Sequence, residues 1–316
     1  MLTNKDLMKE VTDYAERVSS HEMQVAMKVH THVRRYLGDF LFREGFIEIP
    51  PVILSPITDP LNHPTLDPTF TCYGHNYQLT KSMIFHKQLA VLGYDKIFSF
   101  SPNLRFEPLE RVKSGRHLFE FTQLDLEVRN ASRDDVMALM ERMYAGLMAY
   151  CVETLKDDLA SIGRTLTVPA APFRRVGFLD AKEQYGESFE NDLSRDSTDP
   201  LWIVDIPLLD REFYDREDPE RPNILLDMDL LYPEGYGEAS SGGEREWEYA
   251  QIMKRIEKKE QDPLDFCVLV DLAQEGKIVP SAGFGIGIER LVRYICGFDR
   301  IEMAALFPKV PGKLCI

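Results

Sequence analysis

Two β-rich runs joined by a turn constrain the fold of this chain most strongly. The first run is Ile97–Phe100, and the second, Phe119–Val128, alternates apolar and polar residues with a period of two. Between them, Pro108 and the pair Ser114-Gly115 favour a turn. The two runs are therefore predicted to pair as an antiparallel hairpin.

One face of this hairpin is predicted to be charged. Arg105 and Glu107 lie two residues apart and share a face, as do Gln123, Asp125 and Glu127, because alternate side chains of a strand point the same way. Such a face is either a solvated ladder of salt bridges or the wall of a binding site. The hairpin alone leaves both interpretations open.

The composition limits the possible partners of the chain. Its 316 residues carry a formal net charge of -15, from 37 basic and 52 acidic residues, so wrapping around nucleic acid is not expected. The five cysteines form no CxxC pair, which leaves a zinc site and a disulfide framework without support. The charged amino terminus and the lack of any run of about 18 apolar residues predict a cytoplasmic protein without a membrane partner.

The sequence of the first quarter of the chain predicts two helices, an edge strand and a loop. Helices are predicted for Thr3–Val18 and Glu22–Arg43, the second with one apolar stripe. Phe46–Leu54 follows as a strand whose tandem prolines place it at a sheet edge. An edge strand beside a long helix is a candidate dimer interface. The segment 55–77, rich in Pro, Thr, Asp and His, is predicted to be a functional loop that could form a lid.

In the middle of the chain, the sequence predicts one long helix and one solvated loop. Ser132 and Asp135 form a capping-box pattern that starts a helix running to about Leu159. The acidic segment 210–223 is predicted to be a solvated loop.

Acidic residues then cluster around a Pro-Glu-Gly turn. Asp227, Asp229 and Glu238 lie on strand-like segments on either side of it. Carboxylates from two paired strands can share one Mg²⁺ whose other ligands are phosphate oxygens. A turn with satisfied carboxylates is the structural alternative, and these residues alone do not decide between the two.

Alternating glycines near the carboxyl terminus indicate a close backbone approach. Gly283, Gly285 and Gly287 lack the later glycine of a dinucleotide-binding fingerprint, and no phosphate-loop lysine follows them. Glycines along a strand instead allow another body, such as a nucleotide, to lie flat against the backbone. Arg290 then begins a helix whose amino-terminal end suits phosphate.

Together these motifs resemble the catalytic domain of class II aminoacyl-tRNA synthetases of the aspartyl and asparaginyl type. The segment ending at Pro51 resembles the dimer-forming first motif, residues 105–121 the second and residues 283–290 the third. The resemblance implies an α+β class II synthetase fold, with an antiparallel β-sheet flanked by helices. It also implies a homodimer and a catalytic domain at 22–316. The chain departs from the family in one respect: those synthetases carry an anticodon-binding OB domain ahead of the catalytic domain, whereas only about twenty residues precede the first-motif helix here. A helical extension at 1–21 and no OB domain are therefore expected.

The resemblance assigns residues to ATP and Mg²⁺. Arg105 and Arg290 are the expected catalytic residues, on the α- and γ-phosphates, and Asp229 and Glu238 are the expected metal ligands. The full expected ATP-binding set is Arg105, Glu107, His117, Phe121, Glu238, Gly287 and Arg290. Glu107 is expected to contact the adenine amino group and Phe121 to stack on the ring.

The resemblance also assigns Lys87 and Arg245 to an amino-acid pocket. Gln123 and Asp125 are further candidates, for the ammonium group of aspartate, and Ser82 completes the expected aspartate-binding set. Without a partner, Lys87 would be an ordinary surface lysine. Two cations converging on one side-chain pocket favour a carboxylate, hence aspartate over asparagine.

The chain most resembles archaeal-type asparagine synthetase A, an ATP-dependent aspartate-ammonia ligase that forms AMP. This implies aspartate, ATP and ammonia as substrates, a β-aspartyl adenylate as intermediate, and no tRNA. One alternative is an aspartyl- or asparaginyl-tRNA synthetase-like enzyme that activates the α-carboxylate and transfers to tRNA or another acceptor. The other alternative is an inactive paralogue.

Overall fold

The computed structural model of the protein describes residues 13–63 and 65–313. Residues 13–19 are helical, so the described part of the predicted Thr3–Val18 helix is confirmed, whereas 3–12 lie outside the described residues. Arg17 donates hydrogen bonds to the backbone carbonyls of Ala305 and Leu306, at 2.6 and 3.3 Å. These bonds tie the amino-terminal helix to the carboxyl-terminal part of the described chain.

The remaining described chain alternates between helices and strands. The α-helices are α1 (His21–Arg43), α2 (Ile84–Ala90), α3 (Arg133–Thr154), α4 (Lys156–Ser161), α5 (Phe178–Tyr185), α6 (Phe189–Asp196), α7 (Tyr249–Lys258), α8 (Cys267–Gln274) and α9 (Ile288–Cys296). The strands are β1 (Ile47–Glu48), β2 (Leu54–Ser55), β3 (Thr69–Cys72), β4 (His75–Leu79), β5 (Lys96–Leu104), β6 (Glu120–Arg129), β7 (Arg174–Gly177), β8 (Leu201–Val204), β9 (Asp227–Tyr232), β10 (Gly237–Glu244) and β11 (Ser281–Gly287).

Within the described residues, eight strands form the main sheet, in the order β1-β5-β6-β11-β10-β9-β8-β7. The pairs β1–β5 and β7–β8 at its two ends are parallel, and all pairs between them are antiparallel. This architecture confirms the predicted α+β fold. The predicted hairpin is β5–β6, with Ser99 opposite Asp125.

Strand β11 brings distant motifs together because it lies between β6 and β10. Gly285 at its centre is opposite Asp125 on one side and Ser241 on the other. The charged hairpin, the glycine-rich strand and the strand that begins at Gly237 are therefore neighbours in one sheet. The helix that carries Arg290 follows directly from β11.

The two faces of the sheet have different environments, as the period of two requires. Leu124, Leu126 and Phe284 are buried in the main hydrophobic core, where α1, α3 and α9 cover the sheet. Asp125 and Glu127 alternate with those leucines and point to the opposite face, where they are also fully buried. Charged side chains buried on that face need partners, which later segments of the chain supply.

Two predictions from the first quarter of the chain are wrong in detail. The expected strand Phe46–Leu54 is split into β1 and β2, because Pro50 and Pro51 between them cannot donate hydrogen bonds to a ladder. The first piece does lie at the edge of the main sheet, as predicted. The segment 55–77 contains β3 and the start of β4, which form a small sheet in the order β2-β4-β3. The homodimer remains a prediction.

The capping-box prediction is confirmed at the start of α3. Ser132 Oγ accepts from the backbone N–H of Asp135 at 3.2 Å, and Asp135 Oδ2 accepts from the backbone N–H of Ser132 at 2.9 Å. The helix ends at Thr154 and the short α4 follows it, so the predicted single helix to Leu159 is two helices.

Candidate active site

A cavity of about 340 Å³ lies on the charged side of the main sheet. It is lined by parts of the chain that are far apart in sequence, from residue 59 to residue 301. The lining includes every predicted site residue except Asp229, namely Ser82, Lys87, Arg105, Glu107, His117, Phe121, Gln123, Asp125, Glu238, Arg245, Gly287 and Arg290. The structure thus brings these residues together, and their individual roles remain predictions.

Arg105 and Phe121 line the cavity next to each other. Arg105 Nε donates to the backbone carbonyl of Lys81 at 3.0 Å, and its guanidinium carbon lies 5.3 Å from the centroid of the Phe121 ring. The carbonyl fixes one side of the guanidinium, and the aromatic ring supports its face. An arginine held in this way is preoriented for a phosphate.

Arg290 and Glu238 form an ion pair at the same cavity. Arg290 lies in the first turn of α9, and its Nη1 donates to Glu238 Oε2 at 2.9 Å. Burial would raise the pKa of the Glu238 carboxyl, but the charge and hydrogen bond of Arg290 outweigh burial and lower that pKa. Glu238 is therefore an ionised oxygen donor beside Arg290, whose contact with phosphate remains a prediction.

Asp229 occupies a different environment from the one predicted. It does not line the cavity, and Arg211 bonds it directly while also donating through Nε to Asp227 Oδ2 at 2.9 Å. Burial raises the pKa of Asp229, and the arginine opposes this rise. The prediction that Asp229 and Glu238 hold one Mg²⁺ did not include this arginine, and it stays a prediction.

Lys87 is only 2% exposed, so it is not a surface lysine. Its Nζ lies 3.0 Å from Asp125 Oδ1 and 3.7 Å from Glu127 Oε2. Ser101 Oγ donates to the other oxygen of Asp125 at 2.7 Å. The α2 helix and the β6 strand therefore place one cation between two buried carboxylates.

Arg245 is the second buried cation of this cluster. Its Nε donates to Glu127 Oε1 at 3.1 Å, its Nη1 to Asp215 Oδ1 at 2.9 Å and its Nη2 to the carbonyl of Gly283 at 3.0 Å. Burial raises the pKa of Asp215, against the effect of Arg245. With Lys87, two cations already face three carboxylates, so the argument that the cations require a substrate carboxylate does not hold.

The other predicted polar residues face the cavity with partners of their own. Gln123 Oε1 accepts from Asn103 Nδ2 at 2.6 Å. Ser82 Oγ accepts from the backbone N–H of residue 84, at the start of α2, at 3.2 Å. His117 Nδ1 lies 2.7 Å from Ser114 Oγ. These contacts fix the orientation of each side chain at the cavity wall.

The acidic segment 210–223 contributes to the site, so its prediction as a solvated loop is wrong. Arg211, Tyr214 and Asp215 all line the cavity, and Phe213 is fully buried beside them. Tyr214 OH donates to Asp59 Oδ1 at 3.1 Å. The signal for this was the adjacent pair Phe213-Tyr214 within the acidic run, since large aromatic side chains pack in the interior.

Comparisons with known proteins agree with this geometry. The model of the family of class II tRNA synthetases (D, K and N) matches residues 8–311. The asparagine–tRNA ligase of Pyrococcus furiosus is 30% identical over 311 residues, which cover 91% of this chain and 69% of the relative. That of Thermococcus gammatolerans is 29% identical over 304 residues, with the same two coverages.

A solved structure supports the same assignment. The asparaginyl-tRNA synthetase from Pyrococcus horikoshii, complexed with asparaginyl-adenylate, aligns with a TM-score of 0.86 and 27% identity over 99% of this chain and 74% of that one. Because these relatives are named for tRNA, the prediction that tRNA takes no part is wrong. Among the described helices, none is long and apolar enough to cross a membrane. The chain belongs to the class II tRNA synthetases of the aspartate, lysine and asparagine group, close to the asparaginyl-tRNA synthetases.

Proposed function

We propose that the protein is an AMP-forming ligase that activates asparagine as its adenylate and transfers the asparaginyl group to tRNA. One observation carries this proposal: a pair of arginines suited to phosphate and a buried charged cluster suited to an amino acid line the same cavity. The likeness to a synthetase solved with asparaginyl-adenylate supports it.

The activation step requires positioning and charge neutralisation. The α-carboxylate of the amino acid attacks the α-phosphorus of ATP, and the bond from that phosphorus to the bridging oxygen of pyrophosphate breaks. Arg105 and Arg290 are assigned to the α- and γ-phosphates, where their charges neutralise the negative charge that develops on both products. No protein nucleophile is needed, because binding both substrates in one cavity supplies the correct geometry.

The two predicted acidic ligands fit Mg²⁺ in their chemistry. Glu238 lines the cavity, and Asp229 Oδ1 is buried with no hydrogen-bond partner in the described part of the chain. The described residues hold no group of three or more His, Cys, Asp or Glu side chains suited to a metal ion, so phosphate and water would complete the coordination. Bound there, the ion would neutralise charge on the departing pyrophosphate.

The charge balance of the amino-acid pocket favours asparagine. Lys87 and Arg245 already pair with Asp125, Glu127 and Asp215, so neither cation needs a carboxylate from the substrate. An amide side chain adds no charge to this cluster. An aspartate carboxylate would add a negative charge to a buried site, which is costly unless a carboxyl group takes up a proton.

The second candidate is the aspartate-ammonia ligase, and the buried position of Lys87 favours it. Together with Arg245, this lysine could grip the α-carboxylate of an aspartate bound in the reverse orientation. The β-carboxylate would then face Arg105 and attack the α-phosphorus. Ammonia would displace AMP from the β-aspartyl adenylate to give asparagine.

Exchange of labelled pyrophosphate into ATP tests the proposal. We expect exchange with asparagine, and asparaginyl-tRNA when tRNA is added. Arg290→Ala should slow the exchange on the order of 10²- to 10³-fold, as the loss of a transition-state charge contact does. Arg300→Ala is the matched control, because Arg300 pairs with Glu302 and does not line the cavity.

The reaction products distinguish the two candidate functions, the asparagine–tRNA ligase and the aspartate-ammonia ligase. Exchange with aspartate alone, followed by asparagine and AMP when ammonium is added, would replace the first proposal with the second. The absence of exchange with either amino acid would refute both.

A further inference from the structure

Residues 57–63 and 65–67 contribute to the lining of the cavity, and we call them the bridging segment. Four of its residues line the cavity: Asp59, Leu61, Asn62 and His63. It lies between β2 and the β3–β4 hairpin and is fixed by contacts at both ends. It is therefore a wall of the site built from a part of the chain that the three motifs do not include.

Several contacts other than that of His63 hold the bridging segment in place. Near its start, Thr58 Oγ1 accepts from the backbone N–H of Lys81 at 2.8 Å. Near its end, the backbone N–H of Leu66 donates to the carbonyl of Phe106 at 3.1 Å, and Asp67 Oδ2 lies 3.0 Å from Lys81 Nζ. The contact that His63 makes is thus separable from the placement of the segment.

His63 reaches from this segment to the carboxylate that is predicted to recognise adenine. Its Nε2 lies 3.0 Å from Glu107 Oε1. The Glu107 side chain is buried, whereas a quarter of the His63 side chain is exposed. An ionised carboxylate can only accept hydrogen bonds, so His63 supplies the proton of this bond.

We infer that His63 is a positioning residue for purine recognition, holding Glu107 so that its carboxylate accepts a hydrogen bond from the 6-amino group of ATP. This inference rests on the proposed adenylate chemistry and extends it to the choice of nucleotide. A 6-oxo purine would present an oxygen lone pair to the same carboxylate, and two acceptors facing each other repel. The contact between His63 and Glu107 therefore favours 6-aminopurine triphosphates.

The test compares ATP with inosine triphosphate, which carries an oxygen in place of the 6-amino group. We expect His63→Ala to raise the KM for ATP roughly tenfold and to reduce the preference for ATP over inosine triphosphate by a similar factor, as the loss of a hydrogen bond to a charged group does. The KM for the amino acid should stay within about twofold. His63→Gln should restore most of the preference, because its Nε2 can replace the histidine donor.

Lys259→Ala is the matched control. Lys259 Nζ donates to Asn62 Oδ1 at 2.9 Å, so this variant loosens the bridging segment next to His63 without touching Glu107. We expect its KM for ATP to remain within about twofold of the wild type. If Lys259→Ala and His63→Ala change the nucleotide preference equally, the segment and not the histidine is responsible, and the inference fails.

Direct measurement of nucleotide binding tests this inference independently of the proposed function. Calorimetric titration with each of the two nucleotides needs no turnover, so a wild-type protein that binds ATP but shows no exchange refutes the proposed function alone. An unchanged preference in His63→Ala, in a wild-type background that does prefer ATP, refutes the inference alone.

Discussion

Glu289, the neighbour of Arg290 in the first turn of α9, carries a buried carboxylate at the cavity wall. Both of its oxygens accept from the backbone N–H of Thr122, at 2.9 and 3.1 Å. Burial raises its pKa to about 7, although those hydrogen bonds act in the opposite direction. This shift is not evident from the sequence, because it depends on the packing of α9 against β6.

The raised pKa of Glu289 makes stability depend on pH. Its folded pKa exceeds the ordinary value, so the folded protein binds a proton that the unfolded chain releases, and stability falls as the pH rises through the window up to about 7. We expect the free energy of unfolding of Glu289→Gln, relative to that of the wild type, to be roughly 1–3 kcal/mol larger at pH 8 than at pH 5, because only the wild type loses stability over this range. Urea unfolding of both proteins at both pH values measures this difference, and parallel pH dependences would contradict it.

At the scale of the element, the glycines of β11 have two different functions. A Cβ at Gly283 would clash with the Glu127 carboxylate and the backbone of β6, and one at Gly285 would clash with the end of the Gln123 side chain. These two glycines make room for polar side chains of the neighbouring strand. At Gly287, a Cβ would meet only the Arg290 side chain, at 3.7 Å, so the predicted flat approach of a ligand can apply there.

Alanine substitutions along β11 should separate these functions. We expect Gly283→Ala to destabilise the fold by roughly 1–3 kcal/mol, because the backbone that it meets cannot move aside. Gly285→Ala should displace Gln123 and raise the KM for the amino acid while the fold persists. Gly287→Ala, the comparison variant, should keep the wild-type Tm. Thermal unfolding and exchange kinetics measure these effects, and equal Tm values for all three variants would contradict this account.

At the scale of the whole molecule, the cavity exists only in the folded chain. Its walls come from the bridging segment, the hairpin β5–β6, the segment 210–223 and the strands β10 and β11. A ligand that contacts all of these parts binds the folded state alone and stabilises it by mass action.

An uncleavable sulfamoyl analogue of asparaginyl-adenylate should therefore raise the Tm more than adenosine and asparagine do together. At 100 times its Kd, the analogue should add about 2.7 kcal/mol to the free energy of unfolding. The aspartyl analogue is the matched control and should give the smaller shift, because of the charge balance described above. Differential scanning fluorimetry reports these shifts, and a larger shift with the aspartyl analogue would contradict the preference for asparagine.

The sequence by itself determined the features that depend on neighbouring residues. The period of two in β6, the capping box at Ser132 and the helix that begins beside Arg290 each need only a few adjacent residues, and the structure contains all three. The order of the motifs was also enough to indicate the family.

Only the tertiary structure decided which charges meet. Arg245 bonds Glu127 across 118 residues of sequence, and Arg211 bonds Asp229 from a segment predicted to be solvated. Local patterns do not specify such pairs, because they depend on which strands become neighbours and which side chains lose contact with water. For the same physical reason, the amino-acid preference inferred from two isolated cations changed when their buried partners were included.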